Sequence, residues 1–171
     1  MQKKLANIEL VLLDVDGVLT DGSITYSDSG EQIKTFNSRD GLGLRLLMDA
    51  GIGAGIITGR RSKALNHRCA NLGITLLFDN IRDKSEALDT IVARTGTVPE
   101  HIAFAGDDLV DIPVMKRVGV SFAVADACSE VIECCDIVTE HKGGHGAVRE
   151  ICETILRAKG LWESVISRFS S

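Results

Sequence analysis

Only two prolines, Pro99 and Pro113, occur in 171 residues, and no repeat, low-complexity tract or linker-like stretch interrupts the chain. An interdomain hinge has little to build on, so the reading is a single domain over 1–171, long enough for a sizeable core. There is no long basic run, and the net charge is −5. That argues against a nucleic-acid or membrane-surface partner, but a local arginine cluster can still bind an anionic small molecule. There is no CxxC spacing among the five cysteines, an odd number, and two of them, Cys134 and Cys135, are adjacent. A structural zinc site or a disulfide framework is therefore not indicated, and a reduced, cytoplasmic protein is the simplest account. The opening "MQKKLANIELVLLD" is broken by Asn7, Glu9 and Asp14 and has no small-residue cleavage site. It reads as neither a signal peptide nor a membrane span.

What is present is an alternation of short apolar runs and helical stretches. "IELVLLD", "IGAGIIT", "ITLLF", "HIAFAG", "VSFAVA" and "DIVT" read as strands. Between them, helices are expected from Asp40, as N-cap, to Ala50, then over "RSKALNHRCANLG", "KSEALDTIVARTG", "DIPVMKRVG" and "SEVIECC", and after "GGHG" to about Lys159. "GSITYSDSGEQIKTFN" alternates around a polar "SDSG", which predicts a β-hairpin, about 20–37, after the first strand. A weakly patterned tail follows from about 160 to 171. The fold class is α/β: a three-layer, Rossmann-like parallel sheet with helices on both faces and a small hairpin insertion.

Ligands in such sheets bind at the carboxyl ends of the strands. The first strand ends in Asp14 and Asp16, the second in Thr58, Gly59, Arg60 and Arg61. Lys84 opens the helix after the third, and Asp107, Asp108 and Asp111 follow the fourth. Alone, each has an ordinary reading: a turn, a loop, a surface lysine or a helix cap. Together the set is chemically coherent. Carboxylates suit Mg²⁺, a hydroxyl and an ammonium suit phosphate oxygens, and an aspartate can act as a nucleophile.

"DVDGVLTDG", "ITGRR", Lys84 and "GDDLVD" resemble, in order and spacing, the motifs of the haloacid dehalogenase superfamily of phosphatases. The resemblance covers nearly the whole chain. It implies that Asp14 is the nucleophile, that Asp16 is the general acid and base, and that Thr58 and Lys84 hold the phosphoryl group. It further implies Mg²⁺ as cofactor, bound by Asp14, the backbone carbonyl of Asp16, and Asp107, with Asp108 and Asp111 orienting the metal site. The 41 residues between Asp16 and Thr58 (17–57) and the 25 between Thr58 and Lys84 (59–83) leave no room for a cap domain. An uncapped site must take large substrates or borrow a lid from another subunit, so a homo-oligomer joined through the hairpin is expected.

Arginines are dense in the middle of the chain, at Arg39, Arg45, Arg60, Arg61 and Arg68. They point to a substrate with a second anion, such as a sugar-acid phosphate. "DGVLTDGSITYSDSGEQIKTFNSRDGLGLRLL", "ITGRRSKALNHRCANLGI" and "GGHGAVRE" further resemble the capless, tetrameric 3-deoxy-D-manno-octulosonate 8-phosphate phosphatases, whose product is a lipopolysaccharide precursor. That likeness implies a substrate site lined by Asp16, Asn37, Ser38, Arg39, Asp40, Gly41, Arg45, Gly59, Arg60, Arg68 and Lys84, some of them supplied across subunit boundaries. His145 departs from the family, where arginine is common. Two alternatives stand beside this reading. One is a nonulosonate 9-phosphate phosphatase, whose family tends to carry glutamate at Arg60. The other is a receiver-like or degenerate phosphatase-fold binding module; a receiver would need Asp79 phosphorylated and leave the cluster at Asp107 unexplained, and the intact Asp14, Asp16, Thr58, Lys84 and Asp107 speak against degeneracy.

Overall fold

Strand β1 (Leu10–Leu13) is buried along its whole length, with no residue more than 4 % exposed. A strand without a polar face must be covered on both sides, and β1 lies in the middle of a sheet. In a computed structural model describing residues 1–169, it pairs in parallel with β4 on one edge and β6 on the other. A hairpin, β2 (Thr25–Tyr26) and β3 (Gln32–Ile33), stands apart as an antiparallel pair. The other strands are β4 (Gly53–Ile57), β5 (Leu76–Phe78), β6 (Ile102–Gly106), β7 (Val120–Ala123) and β8 (Ile137–Val138). The sheet order is β5-β4-β1-β6-β7-β8, and every pairing in it is parallel.

Numbered without the hairpin, that order is 3-2-1-4-5-6, the doubly wound arrangement whose ligands sit where the winding reverses. A receiver-type sheet would run 2-1-3-4-5 instead. The winding reverses between β1 and β6. Here Asp14, just beyond β1, and Asp107, just beyond β6, stand side by side at the carboxyl ends.

Successive residues of the central strands face opposite layers, as the pleat requires. Val11, Leu13, Ala103 and Ala105 point to one core, while Leu10, Leu12, Ile102 and Phe104 point to the other. The first core is covered by α1 (Gln2–Ala6), α2 (Ser38–Asp49), α3 (Lys63–Leu72), α7 (Ala147–Ala158) and α8 (Trp162–Ser167). The second is covered by α4 (Lys84–Thr95), α5 (Ile112–Met115) and α6 (Ser129–Cys134). Fully burying one Leu, Ile or Phe side chain stabilises by about 1.5–3 kcal/mol, so both layers contribute to holding the sheet. No further domain is inserted among the described residues, and no helix there is long and apolar enough to cross a membrane.

Several elements differ from expectation. Asn37, not Asp40, caps α2: its side chain accepts from the Arg39 and Asp40 amides at 2.8 and 3.4 Å. Asp40 lies buried in the first turn and accepts instead from the amides of Gly146 and Arg149, at the start of α7. α2 does end where expected, with Gly51 beyond it at φ 86°. Within "DIPVMKRVG" only the short α5 is α-helical, after a 3-10 turn (Leu109–Asp111) that ends on its first residue, because the chain turns at 116–119 to reach β7. The tail contains α8, which buries Trp162 and Val165 against the first core. The guanidinium groups of Arg149 and Arg157 lie over Trp162, 5.6 and 4.7 Å from the centre of its ring. The last two residues of that tail reading, 170 and 171, lie outside the described residues. α1 carried no helix signal in the sequence; Leu5 anchors it to the first core.

Candidate active site

The residues that end β1, β4 and β6 line one cleft of about 340 Å³. Asp14, Asp16, Thr58, Gly59, Arg60, Lys84, Asp107 and Asp108 all face it. Lys84 opens α4 yet is only 5 % exposed. Its Nζ lies 2.8 Å from Asp14 Oδ1 and 2.6 Å from Asp111 Oδ1, beneath the cleft. A buried ammonium survives only with such partners, and here two carboxylates neutralise it.

Asp111, fully buried, ties the corner together. One oxygen receives Lys84, and the other accepts the Asp107 and Asp108 amides at 3.0 and 3.3 Å. Asp108 turns its own side chain back to cap Leu109, at 2.7 Å. Gly106 and Gly17 leave the space this corner occupies. A Cβ on Gly106 would meet Asp111 at 2.5 Å, and one on Gly17 would meet Asp107 Oδ2 at 2.0 Å. Gly17 also has φ 94°, so a side chain there is excluded by both conformation and contact.

Asp14, Asp107 and Asp111 each present a carboxylate oxygen within 4.8 Å of the others. Both Asp111 oxygens are already engaged, which leaves Asp14 and Asp107 to face a cation. Asp107 Oδ1 is buried without a hydrogen-bond partner among the described residues. An orphaned carboxylate oxygen beside a second carboxylate, with oxygen donors only, fits a hard divalent cation. The electrostatics agree. Burial raises the Asp14 pKa to about 6, against the pull of Lys84. Asp107 is raised to about 7 by burial and then by the neighbouring charges of Asp14, Asp111 and Asp108.

Thr58 is buried at the end of β4, and its hydroxyl accepts from the Arg60 amide at 3.3 Å. Asp16 is held differently from its neighbour Asp14. Its Oδ1 pairs with Lys34 and its Oδ2 lies 3.7 Å from Arg60 Nε. Lys34 went unmarked in the sequence. Its side chain is only 2 % exposed, although the hairpin that carries it is largely exposed. The available signal was the alternation in β3: Gln32 and Lys34 turn inward, while Ile33 between them turns out.

The other expected substrate residues lie outside this cleft. Asn37 is occupied in capping α2, and its Nδ2 donates to Gly144 O at 3.2 Å. Arg68 donates to Asn37 O at 2.9 Å and fills the space above Gly41, where a Cβ would meet its Nη2 at 2.2 Å. Arg45 reaches Asn71 O at 2.7 Å and so bridges α2 to α3. Ser38 and Arg39 are exposed, with Arg39 near His141, His145 and Arg149, and Asp40 is buried under α7. The "GGHG" turn packs beneath the first loop: Gly144 N donates to Val18 O at 2.9 Å, and a Cβ on Gly143 would strike Gly17 O at 1.6 Å.

Known proteins resemble this chain in sequence and in fold. A family model for haloacid dehalogenase-like hydrolases matches residues 73–151. The 3-deoxy-D-manno-octulosonate 8-phosphate phosphatase of Escherichia coli K12 is 48 % identical over 157 residues, covering 92 % of this chain and 84 % of the relative. A crystal structure of the Yersinia pestis phosphatase of the same name matches with a TM-score of 0.93 at 47 % identity, covering 95 % of this chain and 88 % of that one. The Moraxella catarrhalis phosphatase, solved with magnesium ion, phosphate ion and a KDO molecule, matches with a TM-score of 0.96 at 38 % identity, covering 98 % and 97 %. The likeness covers more than nine-tenths of the chain, and by it the chain belongs to the 3-deoxy-D-manno-octulosonate 8-phosphate phosphatase family of haloacid dehalogenase-like hydrolases.

Proposed function

We propose that this chain is a Mg²⁺-dependent phosphomonoesterase that releases phosphate from 3-deoxy-D-manno-octulosonate 8-phosphate, a step of lipopolysaccharide synthesis, in the cytoplasm. The observation that carries the reading is the orphaned Asp107 Oδ1 beside Asp14, with Lys84 and Thr58 at the same cleft. Relatives of this family bear that activity in their names, and one binds magnesium, phosphate and KDO together.

In this mechanism Asp14 and Asp107, with the backbone carbonyl of Asp16, would hold the Mg²⁺. When bound, the cation neutralises charge on the phosphoryl oxygens. An Asp14 carboxylate oxygen attacks phosphorus, and the bond to the sugar oxygen breaks. Asp16 delivers a proton to that leaving oxygen. It then takes a proton from a water that attacks the aspartyl-phosphate, freeing phosphate and restoring Asp14. Lys84 and the Thr58 hydroxyl hold the phosphoryl group, and Asp111 fixes Lys84. Asp108 stiffens the turn that carries Asp107. Gly59 and Arg60 face the rest of the substrate.

Asn37, Ser38, Arg39, Asp40, Gly41, Arg45 and Arg68 sit away from this chain's own cleft. The exposed members of that set, Ser38, Arg39 and Arg45, support an oligomer, a tetramer by analogy, in which they border a neighbour's site, while the buried Asp40 and Gly41 act only by holding α2 in place. The exposed apolar side chains of the hairpin, Ile24, Tyr26 and Ile33, support the same reading.

Two measurements test the function. Asp14→Asn should keep its circular-dichroism spectrum and lose more than about a thousandfold in kcat; substantial residual turnover removes Asp14 from the attacking role. Across a panel of sugar and sugar-acid phosphates with Mg²⁺, kcat/KM should be highest on the eight-carbon acid and collapse with chelator. Inactivity on every member would defeat the assignment.

A further inference from the structure

The two aspartates that follow β1 each meet a buried lysine of their own. Lys84, from α4, reaches Asp14 at 2.8 Å. Lys34, from the hairpin, donates to Asp16 Oδ1. Its side chain is only 2 % exposed, although the residues on either side of it, Ile33 and Thr35, are exposed. An ammonium withdrawn from water is costly without a partner. Asp16 is the one acceptor Lys34 has among the described residues, so the place of the hairpin and the place of that carboxylate are tied together.

Local backbone does not hold the Asp16 side chain. An aspartate in a turn ordinarily accepts from an amide about two residues on. After Asp16 those amides are already engaged. Gly17 N donates to Thr20 Oγ1 at 3.4 Å, and the Val18, Leu19 and Thr20 amides all donate to Val15 O, at 3.3, 2.9 and 3.0 Å. The backbone of the turn is therefore fixed by its own bonds, while the carboxylate is left to rotate. Arg60 comes no nearer to Oδ2 than 3.7 Å, and its side chain is half exposed. Among the described residues, Lys34 alone makes a hydrogen bond to the Asp16 carboxylate. A group that must give a proton to one oxygen and then take one from water needs a set direction.

We propose that Lys34 is a positioning residue for the reaction: it holds the Asp16 carboxylate at the cleft, and it acts through Asp16 rather than on the substrate. The inference rests on the phosphatase reading above and adds a part to it that the hairpin supplies. The strand that turns Ile33 outward turns Lys34 onto the residue that moves the protons.

A double-mutant cycle on 3-deoxy-D-manno-octulosonate 8-phosphate with Mg²⁺ tests this. Lys34→Met keeps the stem and removes the ammonium. It should lower kcat about thirty- to a hundredfold and change KM less than about threefold, because a misdirected acid-base group costs the chemical step rather than binding. Asp16→Asn should lower kcat by about a hundredfold or more. The two losses should not add: the double variant should turn over within about threefold of Asp16→Asn alone. Thermal melts and sedimentation establish that each variant folds and assembles as the wild type does. Where Lys34→Met fails either check, Lys34→Gln carries the same cycle. A full further loss in the Asp16→Asn background, a loss confined to KM, or an unchanged kcat in the folded single variant overturns the positioning role and leaves the phosphatase reading intact. Wild-type protein inactive on the ester overturns that reading, and the role of Lys34 with it.

Discussion

Asp14 and Asp107 are carboxyl groups held where ionisation is costly. Their pKa values of about 6 and about 7 exceed those of an unfolded chain, so the folded protein binds protons more tightly. A raised carboxyl stabilises the fold below the unfolded pKa and withdraws that stability as pH climbs through the folded value. In chelator, the melting temperature should therefore fall between roughly pH 5 and pH 8. Mg²⁺ should raise it most at the alkaline end, where both groups are charged and face each other. A chelated protein that melts higher at the alkaline end would contradict this electrostatic account. Asp14, Asp16, Thr58 and Asp107 were legible because each stands at or near the end of an apolar run, where a polar residue needs a reason; Lys84, at the start of a helix, was legible only through the motif set it completes. Lys34 was not. It sits in a polar hairpin, and only the folding of that hairpin over the cleft buries it against Asp16.

Helices α2 and α7 depend on each other through Asp40. Asn37 alone caps α2, while Asp40, within α2, accepts the Arg149 amide at 2.8 Å and the Gly146 amide at 3.3 Å. α7 has no side-chain cap from its own N-cap residue, Gly146. The Asp40 carboxylate does that work across the interface, and burial raises its pKa against those two hydrogen bonds. Asp40→Ala should lower stability by about 1–2 kcal/mol in urea titration. A loss confined to a few tenths of a kcal/mol would make the contact incidental. Nothing in local sequence distinguishes an aspartate that caps its own helix from one that caps a helix more than a hundred residues away. The "GGHG" turn is similar: its glycines are plain in the sequence, but their reason is the backbone of Gly17 and Val18 pressed against them.

At the scale of the whole molecule, the sheet order places the reversal of winding between β1 and β6, and the cleft opens there. The hairpin projects beside it with Ile24 41 %, Tyr26 60 % and Ile33 51 % exposed. A two-stranded hairpin with outward apolar residues is marginal alone and gains by burial against another copy. Tyr26→Asp with Ile33→Asp should shift the sedimentation coefficient toward the monomer and reduce turnover of the sugar-acid phosphate. Wild-type protein sedimenting as a fully active monomer would remove the need for a neighbour.

The amino-acid sequence by itself determined the alternation of strand and helix, the parallel sheet and the polar residues at its carboxyl ends. Those features are local: period, apolar runs and chain punctuation are written over a few residues at a time. Only the tertiary structure decided that Lys34 reaches Asp16, that Asp111 holds Lys84 beneath the cleft, and that Asp40 serves α7. It also separated the arginines, placing Arg60 at the cleft and tying Arg45 and Arg68 into the joint between α2 and α3. Such pairings join residues far apart in the chain, and their partners are set by how the layers pack rather than by neighbours in sequence.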